Sequence, residues 1–249
     1  MTVKAAILAI GDELLSGRTR DTNIHFLAQW LNERGVTLSE VRIVADELDD
    51  ICDALNALRT RYDYVMTSGG IGPTHDDITF EAVAMAFGCS VVEHPQARKI
   101  LDDWYAKKEL EVTPERARMA LMPEGARLIE NKASGAPGIM IENVFVMAGV
   151  PRIFQAMVGA IEPYIEGGAK VHSKAVTAIG LPESKLARQL ADIQSALNGV
   201  SIGSYPIDGD EMGVTIVARS ENEALAQTAI ESVIAAMRAL GFDPKAGDH

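Results

Sequence analysis

The sequence has little cysteine, a shortage of basic residues and no long apolar run. Because Cys52 falls in a helical pattern and Cys89 lies beside a predicted strand, we interpret these two cysteines as reduced core residues. A disulfide framework is therefore not expected. With 35 acidic residues against 23 basic ones, the net charge is −12. Such a balance argues against a nucleic-acid binder held by phosphate contacts.

No segment reaches the length of a membrane span, and the apolar stretch at residues 5–10 is too short for a signal peptide. We therefore expect a cytoplasmic protein with no membrane partner. A hydrophobic content of 47% and a mean hydropathy of +0.06 are typical of a globular chain with a real core. A length of 249 residues allows one large domain or two smaller ones.

A glycine-rich stretch organises the first part of the chain. An apolar run at residues 64–66 (YVM) leads into residues 68–77 (SGGIGPTHDD), after which apolar positions recur at helical spacing until Gly88. Strand, loop and helix in this order suit a phosphate, because glycines let a ligand lie on main-chain N–H groups and the helix adds its positive end. Asp76 and Asp77 would repel a bare phosphate, so a bridging divalent cation is the natural reconciliation.

A purely structural interpretation of this loop stays open. Three glycines after a strand can form a tight turn, and an aspartate at a helix start is usually an N-cap. The spacing fits neither the dinucleotide fingerprint nor a Walker loop, which would end in Gly-Lys-Ser/Thr. The loop is therefore unusual in its own right, and we take it as the candidate ligand site.

Acidic residues follow two further predicted strands. Asp12 and Glu13 come soon after strand 3–10, and Asp46 comes soon after strand 36–44. Open α/β sheets bind ligands at the carboxyl ends of their strands, so these loops face one crevice if the strands are neighbours. Solvated loop carboxylates are the alternative.

Strands and helices alternate through the first part of the chain. The predicted elements are strand 3–10, helix 22–34, strand 36–44, helix 48–58, strand 64–66, helix 78–87, and short strands at 127–130, 138–142 and 144–147. This order predicts a three-layer αβα domain at residues 1–168, with a doubly wound, mostly parallel sheet. A helix capped by Thr113 is expected to run to Met122. Lys132, in a loop with Gly, Pro and Ser, either reaches a phosphate or is simply solvated.

A smaller module follows this domain. Its predicted elements are strand 173–179, helix 183–193, strands 200–205 and 213–219, and helix 221–240. The βαββα order predicts a small α+β domain at residues 171–242, followed by a tail at 243–249. The acidic loop at 208–211 (DGDE) is interpreted as a solvated hairpin rather than a metal site.

Several motifs together resemble a known family. They are residues 9–17 (AIGDELLSG), 21–23 (DTN), 68–77 (SGGIGPTHDD), 136–138 (APG) and 149–151 (GVP). In this order they resemble the molybdopterin-binding, MoaB/Mog-like domain of CinA, the competence/damage-inducible protein A, over residues 3–166. The later module, with residues 180–184 (GLPES), is similar to the small α+β domain that follows in CinA. The C-terminal deamidase domain of full-length CinA is expected to be absent.

The resemblance implies a three-layer αβα fold in which the glycine-rich loop receives a pterin phosphate or a nucleotide diphosphate. In the molybdenum-cofactor members, aspartates corresponding to Asp77 (in DITFE) and Asp46 (in ADE) lie near a Mg²⁺-assisted adenylyl-transfer site. CinA-type members are linked instead to metal-dependent hydrolysis of the diphosphate in ADP-ribose or related nucleotides. Mog-like domains also form oligomers, so the resemblance implies a homo-oligomer.

The candidate site residues fall into three groups. Those expected to be catalytic are Asp77, Asp46 and Asp76. Those expected to hold Mg²⁺ or another divalent cation are Asp12, Glu13 and Asp77. Those expected to contact the ligand, with molybdopterin as one candidate, are Gly11, Ser68, Gly69, Gly70, Gly72, Pro73, Thr74, Lys132 and Gly149.

One motif departs from the family pattern. The usual Pro-Gly-Val-Pro-Ser/Thr-Glu turn is here residues 148–153 (AGVPRI), which lack the first proline and the glutamate. If that glutamate positions metal or substrate, hydrolysis is weakened or its substrate changed, whereas binding is still expected because the ligand-binding loops are intact. The alternatives to hydrolysis are adenylyl transfer in molybdenum cofactor biosynthesis and a non-catalytic binding module.

Overall fold

The structure, a computed structural model, describes residues 2–207 and 212–246. The chain divides into two compact units, Met1–Gly168 and Ala169–His249. The predicted acidic loop at 208–211 lies outside the described residues. Within the described ranges, no helix is both long enough and apolar enough to cross a membrane.

The N-terminal unit alternates strands and helices. Its first half contains β1 (Val3–Ile10), α1 (Asp12–Leu15), α2 (Asn23–Asn32), β2 (Val36–Val44), α3 (Leu48–Arg59), β3 (Tyr64–Ser68) and α4 (Thr79–Phe87). Its second half contains β4 (Val91–Glu93), α5 (Pro95–Ala106), α6 (Pro114–Arg118), β5 (Leu121–Pro123), β6 (Arg127–Ile129), β7 (Gly138–Ile141), β8 (Val144–Met147) and α7 (Pro151–Ile161).

Six of these strands form one mixed sheet in the order β2-β1-β3-β8-β7-β6. The pairs β1/β2, β1/β3 and β3/β8 are parallel, whereas β7 pairs antiparallel with β8 and with β6. Strand β1 lies between two parallel neighbours, and its residues 5–10 are all buried. A strand buried on both faces must be an unbroken apolar run, which is the pattern of its sequence.

The direction in which the chain crosses the sheet explains the three layers. From β1 the chain moves to β2 on one side, and it then returns to β3 on the other side of β1. Right-handed crossovers therefore place α2 on one face and α3 and α4 on the other. The contacts agree, because α2 packs against α7 and α3 packs against α4. The predicted doubly wound α/β fold is confirmed.

The reversal of direction brings the carboxyl ends of β1 and β3 together. Gly69, directly after β3, has a φ of 119°, and a Cβ built on it would lie 2.1 Å from the main-chain oxygen of Ile10 at the end of β1. Only glycine permits both this conformation and this approach. The first glycine of the loop is therefore required for packing of the two strand ends.

The helix predicted from Thr113 to Met122 is too long. The Thr113 hydroxyl caps the helix as expected, accepting from the main-chain N–H of Arg116 at 3.4 Å. However, α6 ends at Arg118, because Leu121–Pro123 forms β5 and pairs antiparallel with β4. Met122 is fully buried in that strand.

The C-terminal unit is a small α+β domain with an antiparallel sheet. It contains β9 (His172–Ile179), α8 (Ala187–Ala196), β10 (Ser201–Ile207), β11 (Gly213–Ser220), α9 (Glu223–Ala239) and β12 (Lys245–Ala246), with strand order β10-β11-β9-β12. The predicted tail at 243–249 needs correction, because residues 245 and 246 pair with Thr177 and Val176 of β9. The helix expected from Glu183 begins as a 3₁₀ turn, and the α-helix itself starts at Ala187.

Replacement of Gly69 by alanine should destabilise the N-terminal unit by roughly 2 kcal/mol or more, because it adds both a strained φ and a clash with Ile10. Gly159→Ala is the matched control. Gly159 lies in α7 with open space around its added Cβ, so alanine there should stabilise by about 0.5–1 kcal/mol. Denaturant unfolding of the two variants measures both effects. Equal unfolding free energies would contradict this account of the strand ends.

Candidate functional site

A cavity of about 590 Å³ opens at the carboxyl ends of the parallel strands. Most of the predicted site residues line it. They are Gly11, Glu13, Asp46, Gly69, Gly70, Gly72, Pro73, Asp76, Asp77 and Gly149. They come from the loops after β1, β2, β3 and β8, so the adjacency of these strands brings residues far apart in sequence to one place.

Thr79, fully buried at the start of α4, fixes the glycine-rich loop. Its hydroxyl donates to the carbonyl of Gly69 at 3.0 Å, and its main-chain N–H donates to the carbonyl of Gly70 at 2.9 Å. Gly70 has a φ of 66°, and a Cβ there would lie 2.1 Å from the Thr79 hydroxyl oxygen. The loop carbonyls are thus satisfied by the helix that follows them.

The N–H groups of the same loop are divided between two roles. Gly69 donates its N–H to the carbonyl of Met147 at 3.1 Å, so this group serves the sheet. The next three, on Gly70, Ile71 and Gly72, have no hydrogen-bond partner among the described residues. All three residues line the cavity. Consecutive free N–H groups in a glycine-rich turn form an anion-binding concavity.

The two aspartates after this loop share one hydroxyl. The Thr74 hydroxyl lies 2.5 Å from a carboxylate oxygen of Asp76 and 2.5 Å from one of Asp77. Asp77 also accepts from the main-chain N–H of Thr74 at 2.8 Å. The hydroxyl bond holds the pKa of Asp76 below its usual value. Because one hydroxyl donates only one proton, Thr74 donates a hydrogen bond to one carboxylate at a time. Thr74 does not line the cavity itself, so its role is to position the two aspartates.

Arg118, which the sequence analysis did not single out, braces this turn. Its guanidinium donates to the carbonyl of Thr74 at 2.8 Å and to the carbonyl of Asp77 at 3.3 Å. It also pairs with Glu81 of α4 at 2.9 Å. The backbone of the turn that carries these carboxylates is therefore held by a residue 41 positions further along the chain, and no local pattern in the sequence signals such a contact.

Carboxylates from three strand ends lie near one another. The main-chain N–H of Asp12 donates to the Asp46 carboxylate at 2.9 Å. Burial raises the pKa of Asp46 above its usual value, and the negative charges of Asp12, Glu13 and Asp76 raise it further. Asp12 itself does not line the cavity. The structure thus brings the predicted acidic residues together, but Asp12 contacts Asp46 through its main chain instead of lining the cavity.

Asn23, which the sequence analysis quoted only as part of a motif, ties two of the loops together. Its buried side-chain amide donates to the Ser68 hydroxyl at 2.9 Å and to the carbonyl of Gly149 at 2.7 Å. Ser68 is itself 3% exposed and does not line the cavity. The structure therefore gives Ser68 a position in the support of the loops, in place of the predicted direct contact with a ligand.

Lys132 lies outside the cavity wall, contrary to its predicted contact with the ligand. Its side chain is 80% exposed and pairs with Glu130 at 3.3 Å. The same loop reaches the cavity through Asn131, Ser134 and Ala136 instead. The buried Asn131 shapes the loop, because its carbonyl oxygen accepts from the main-chain N–H groups of residues 133 and 134.

The oxygen donors suit a hard cation only in combination with a ligand. Among the described residues, no three His, Cys, Asp or Glu side chains are grouped to hold a metal by themselves. Magnesium is usually bound by one or two carboxylates together with substrate phosphates and water, so a preformed cage is not required. Glu13, Asp46, Asp76 and Asp77 line the cavity, and no Lys or Arg does so within the described ranges.

Comparison with known proteins identifies the class. Residues 6–167 match the family described as "Probable molybdopterin binding domain", and residues 170–244 match the one described as "FAD synthase, middle domain". Because the first match covers more than half of the chain, the protein belongs to the molybdopterin-binding, MoaB/Mog-like family.

Within this family the chain is similar to CinA. The protein CinA from Thermoplasma acidophilum, whose structure is known, is 32% identical, with a TM-score of 0.61 over 66% of this chain and 99% of that chain. A CinA-like protein from Desulfosudis oleivorans is 37% identical over 80% of this chain, which spans 51% of the relative. A protein from Aeropyrum pernix is 35% identical, covering 95% of this chain and 91% of its own. The predicted CinA resemblance is confirmed.

Replacement of Asp46 by asparagine should raise the melting temperature at about pH 7. A raised pKa means that the folded state binds the proton more tightly, so stability falls as pH rises above the ordinary value of 3.8. Asparagine removes the free-energy cost of burying an ionised carboxylate, and its side-chain oxygen can still accept the hydrogen bond from the main-chain N–H of Asp12. The difference from wild type should therefore vanish below about pH 3.

Melting curves in EDTA at several pH values measure this difference. Asp53→Asn, an exposed position in α3, is the control with the same charge change and should shift the curve little at any pH. An Asp46→Asn variant that is less stable than wild type at pH 7 would show that ionised Asp46 stabilises the fold.

Proposed function

We propose that the N-terminal unit binds a phosphate-bearing ligand, a nucleotide diphosphate or a pterin phosphate, on the N–H groups of Gly70, Ile71 and Gly72. The observation that carries this proposal is that these three residues line a cavity and that their N–H groups have no partner among the described residues. A phosphate accepts several hydrogen bonds at once, which suits a run of main-chain donors.

The rest of the cavity suits a ring attached to that phosphate. Apolar side chains of Ile71, Tyr105, Met119, Val150 and Ile153 form part of its wall. At about 590 Å³ the volume falls in the ordinary range for small-molecule sites. A ligand with a charged end and a planar, weakly polar end, as a nucleotide or a pterin has, matches this division.

The charge of the cavity supports a divalent cation bound together with the ligand. Four carboxylates without a lining cation would repel a diphosphate. We infer that Glu13 and Asp77 hold Mg²⁺ jointly with the ligand, with Asp12 behind them. When bound, the cation would neutralise phosphate charge and make the phosphorus more electrophilic.

We infer that the reaction is hydrolysis of the diphosphate in ADP-ribose or a related nucleotide. Water attacks one phosphorus, the bridging P–O bond breaks, and two monophosphates leave. Asp46 suits the general base that takes the proton from water, because burial and neighbouring charges raise its pKa. Asp76, beside Asp77 on the turn that Arg118 braces, adds negative charge near that water.

A binding module without catalysis, or an adenylyl-transfer protein of molybdenum cofactor biosynthesis, is the second candidate. The observation that favours it is the turn at 148–153, where Arg152 stands in place of the family's Ser/Thr and Ile153, in place of the glutamate, lines the cavity. Such a module needs only the free N–H groups and the cavity. Cytoplasmic residence stays a prediction from the sequence, and assembly into a homo-oligomer stays a prediction from the family resemblance.

Asp77→Asn should lower Mg²⁺-dependent ADP-ribose hydrolysis by roughly a hundredfold or more at an almost unchanged melting temperature. An asparagine carbonyl can still accept from the N–H and hydroxyl of Thr74, so the turn survives while the charge is lost. Initial rates over a range of Mg²⁺ concentrations, compared with melting curves, measure the two effects separately.

The control is again Asp53→Asn, which should keep full activity. An Asp77→Asn variant with normal turnover and metal dependence would end the hydrolytic mechanism. If ADP-ribose, FAD or adenylated molybdopterin raises the melting temperature of the wild-type protein but none of them is converted to product, the protein is a binding module without catalysis.

A further inference from the structure

The C-terminal unit has a groove of about 360 Å³ between β9 and α9. β11 pairs with β9 along its whole length, but β12 pairs only with Val176 and Thr177 on the other side. Residues 173–175 of β9 therefore have no neighbouring strand on that side among the described residues. The groove occupies this open edge, and β12 forms one of its ends.

The floor of the groove is apolar. Val176 of β9 and two residues of α9, Ile230 and Ile234, line it. The isoleucines are four positions apart, so they share one face of the helix. Val176 is 1% exposed and Ile230 is 5% exposed, so the floor is continuous with the core of the unit.

The rim is basic, in a chain with a net charge of −12. Lys174, Arg238 and Lys245 line the groove, and no Asp or Glu does so in the ranges that the structure describes. Lys174 is already paired with Glu223 at 3.0 Å. Arg238 and Lys245 have no ion-pair partner within those ranges. Among the described residues, two positive charges without an ion-pair partner thus lie beside an apolar floor.

We propose that this groove binds a small organic anion, with its phosphate monoester or carboxylate group on Arg238 and Lys245 and its apolar body on Val176, Ile230 and Ile234. Guanidinium groups bind both kinds of oxyanion through paired hydrogen bonds. The volume is at the small end of ligand sites, which limits the body to about one ring.

A purely structural role for Arg238 must be distinguished from ligand binding. It lies in the last turn of α9, where a cation is favourable to the helix dipole. That role predicts a small loss of stability on replacement and no change in ligand binding. The test therefore needs a readout of binding at the groove itself.

Methyl NMR of the full chain with labelled isoleucine supplies that readout. Phenyl phosphate and benzoate are the anionic probes, and benzyl alcohol is the neutral one. We expect both anions, and not the alcohol, to shift the methyl signals of Ile230 and Ile234 in a saturable way, and the stronger anion identifies the preferred head group. The signals of Ile71 and Ile153 report separately on the cavity of the N-terminal unit.

Arg238→Gln and Lys245→Gln should each weaken the binding of phenyl phosphate at the groove about threefold, as expected for a partly exposed ion pair. Arg188→Gln removes one positive charge from an exposed position in α8 and should leave binding unchanged. Unshifted Ile230 and Ile234 signals with both anions, an equal response to benzyl alcohol, or an unaltered affinity in both groove variants would overturn the proposal.

Discussion

The contact between Gly69 and the Ile10 carbonyl is the constraint on which the rest of the N-terminal unit depends. It closes the gap between β1 and β3 at the point where the chain reverses its direction across the sheet. Gly149 brings the end of β8 close to the same point, because a Cβ on it would lie 3.2 Å from the Gly69 Cα. The buried amide of Asn23 links these loops by hydrogen bonds to Ser68 and Gly149. Main-chain groups near the cavity are therefore fixed by packing before any ligand is present, which lowers the cost of ordering on binding.

Charge is distributed differently in the two units. The cavity of the N-terminal unit concentrates carboxylates, and burial together with neighbouring negative charges raises the pKa of Asp46. No Lys or Arg among the residues that the structure describes lines this cavity. Such an arrangement is expected to cost stability, which is why we propose that this cavity binds a cation together with an anionic ligand. The groove of the C-terminal unit has the opposite sign and an apolar floor, which favours an anion that brings no metal. The chemistry of each proposed site thus follows from the side chains of its own unit.

The sequence alone predicted the fold well, because the signals for it are local. Buried runs such as 3–10, the glycine stops after helices and the order of strands determine a doubly wound sheet once crossovers are right-handed. It also identified the loops that meet at the cavity. It did not identify Arg118, and it did not give Asn23 its role, because their contacts join residues 37 to 126 positions apart and leave no periodic pattern. Lys132 and Ser68 have the residue types expected of ligand contacts and lie in loops near the cavity, but neither lines it. The Lys132 side chain is exposed to solvent, and Ser68 is buried beside Asn23.

We propose that Gly70, Ile71 and Gly72 hold a phosphate beside carboxylates that require a cation. Calorimetric titration with the methylene-bridged analogue of ADP-ribose, which cannot be hydrolysed, tests this binding mode. We expect binding at least roughly tenfold tighter with Mg²⁺ than with EDTA, because without the cation the diphosphate meets four carboxylates. Equal affinity under the two conditions, or no binding in the presence of Mg²⁺, would contradict it.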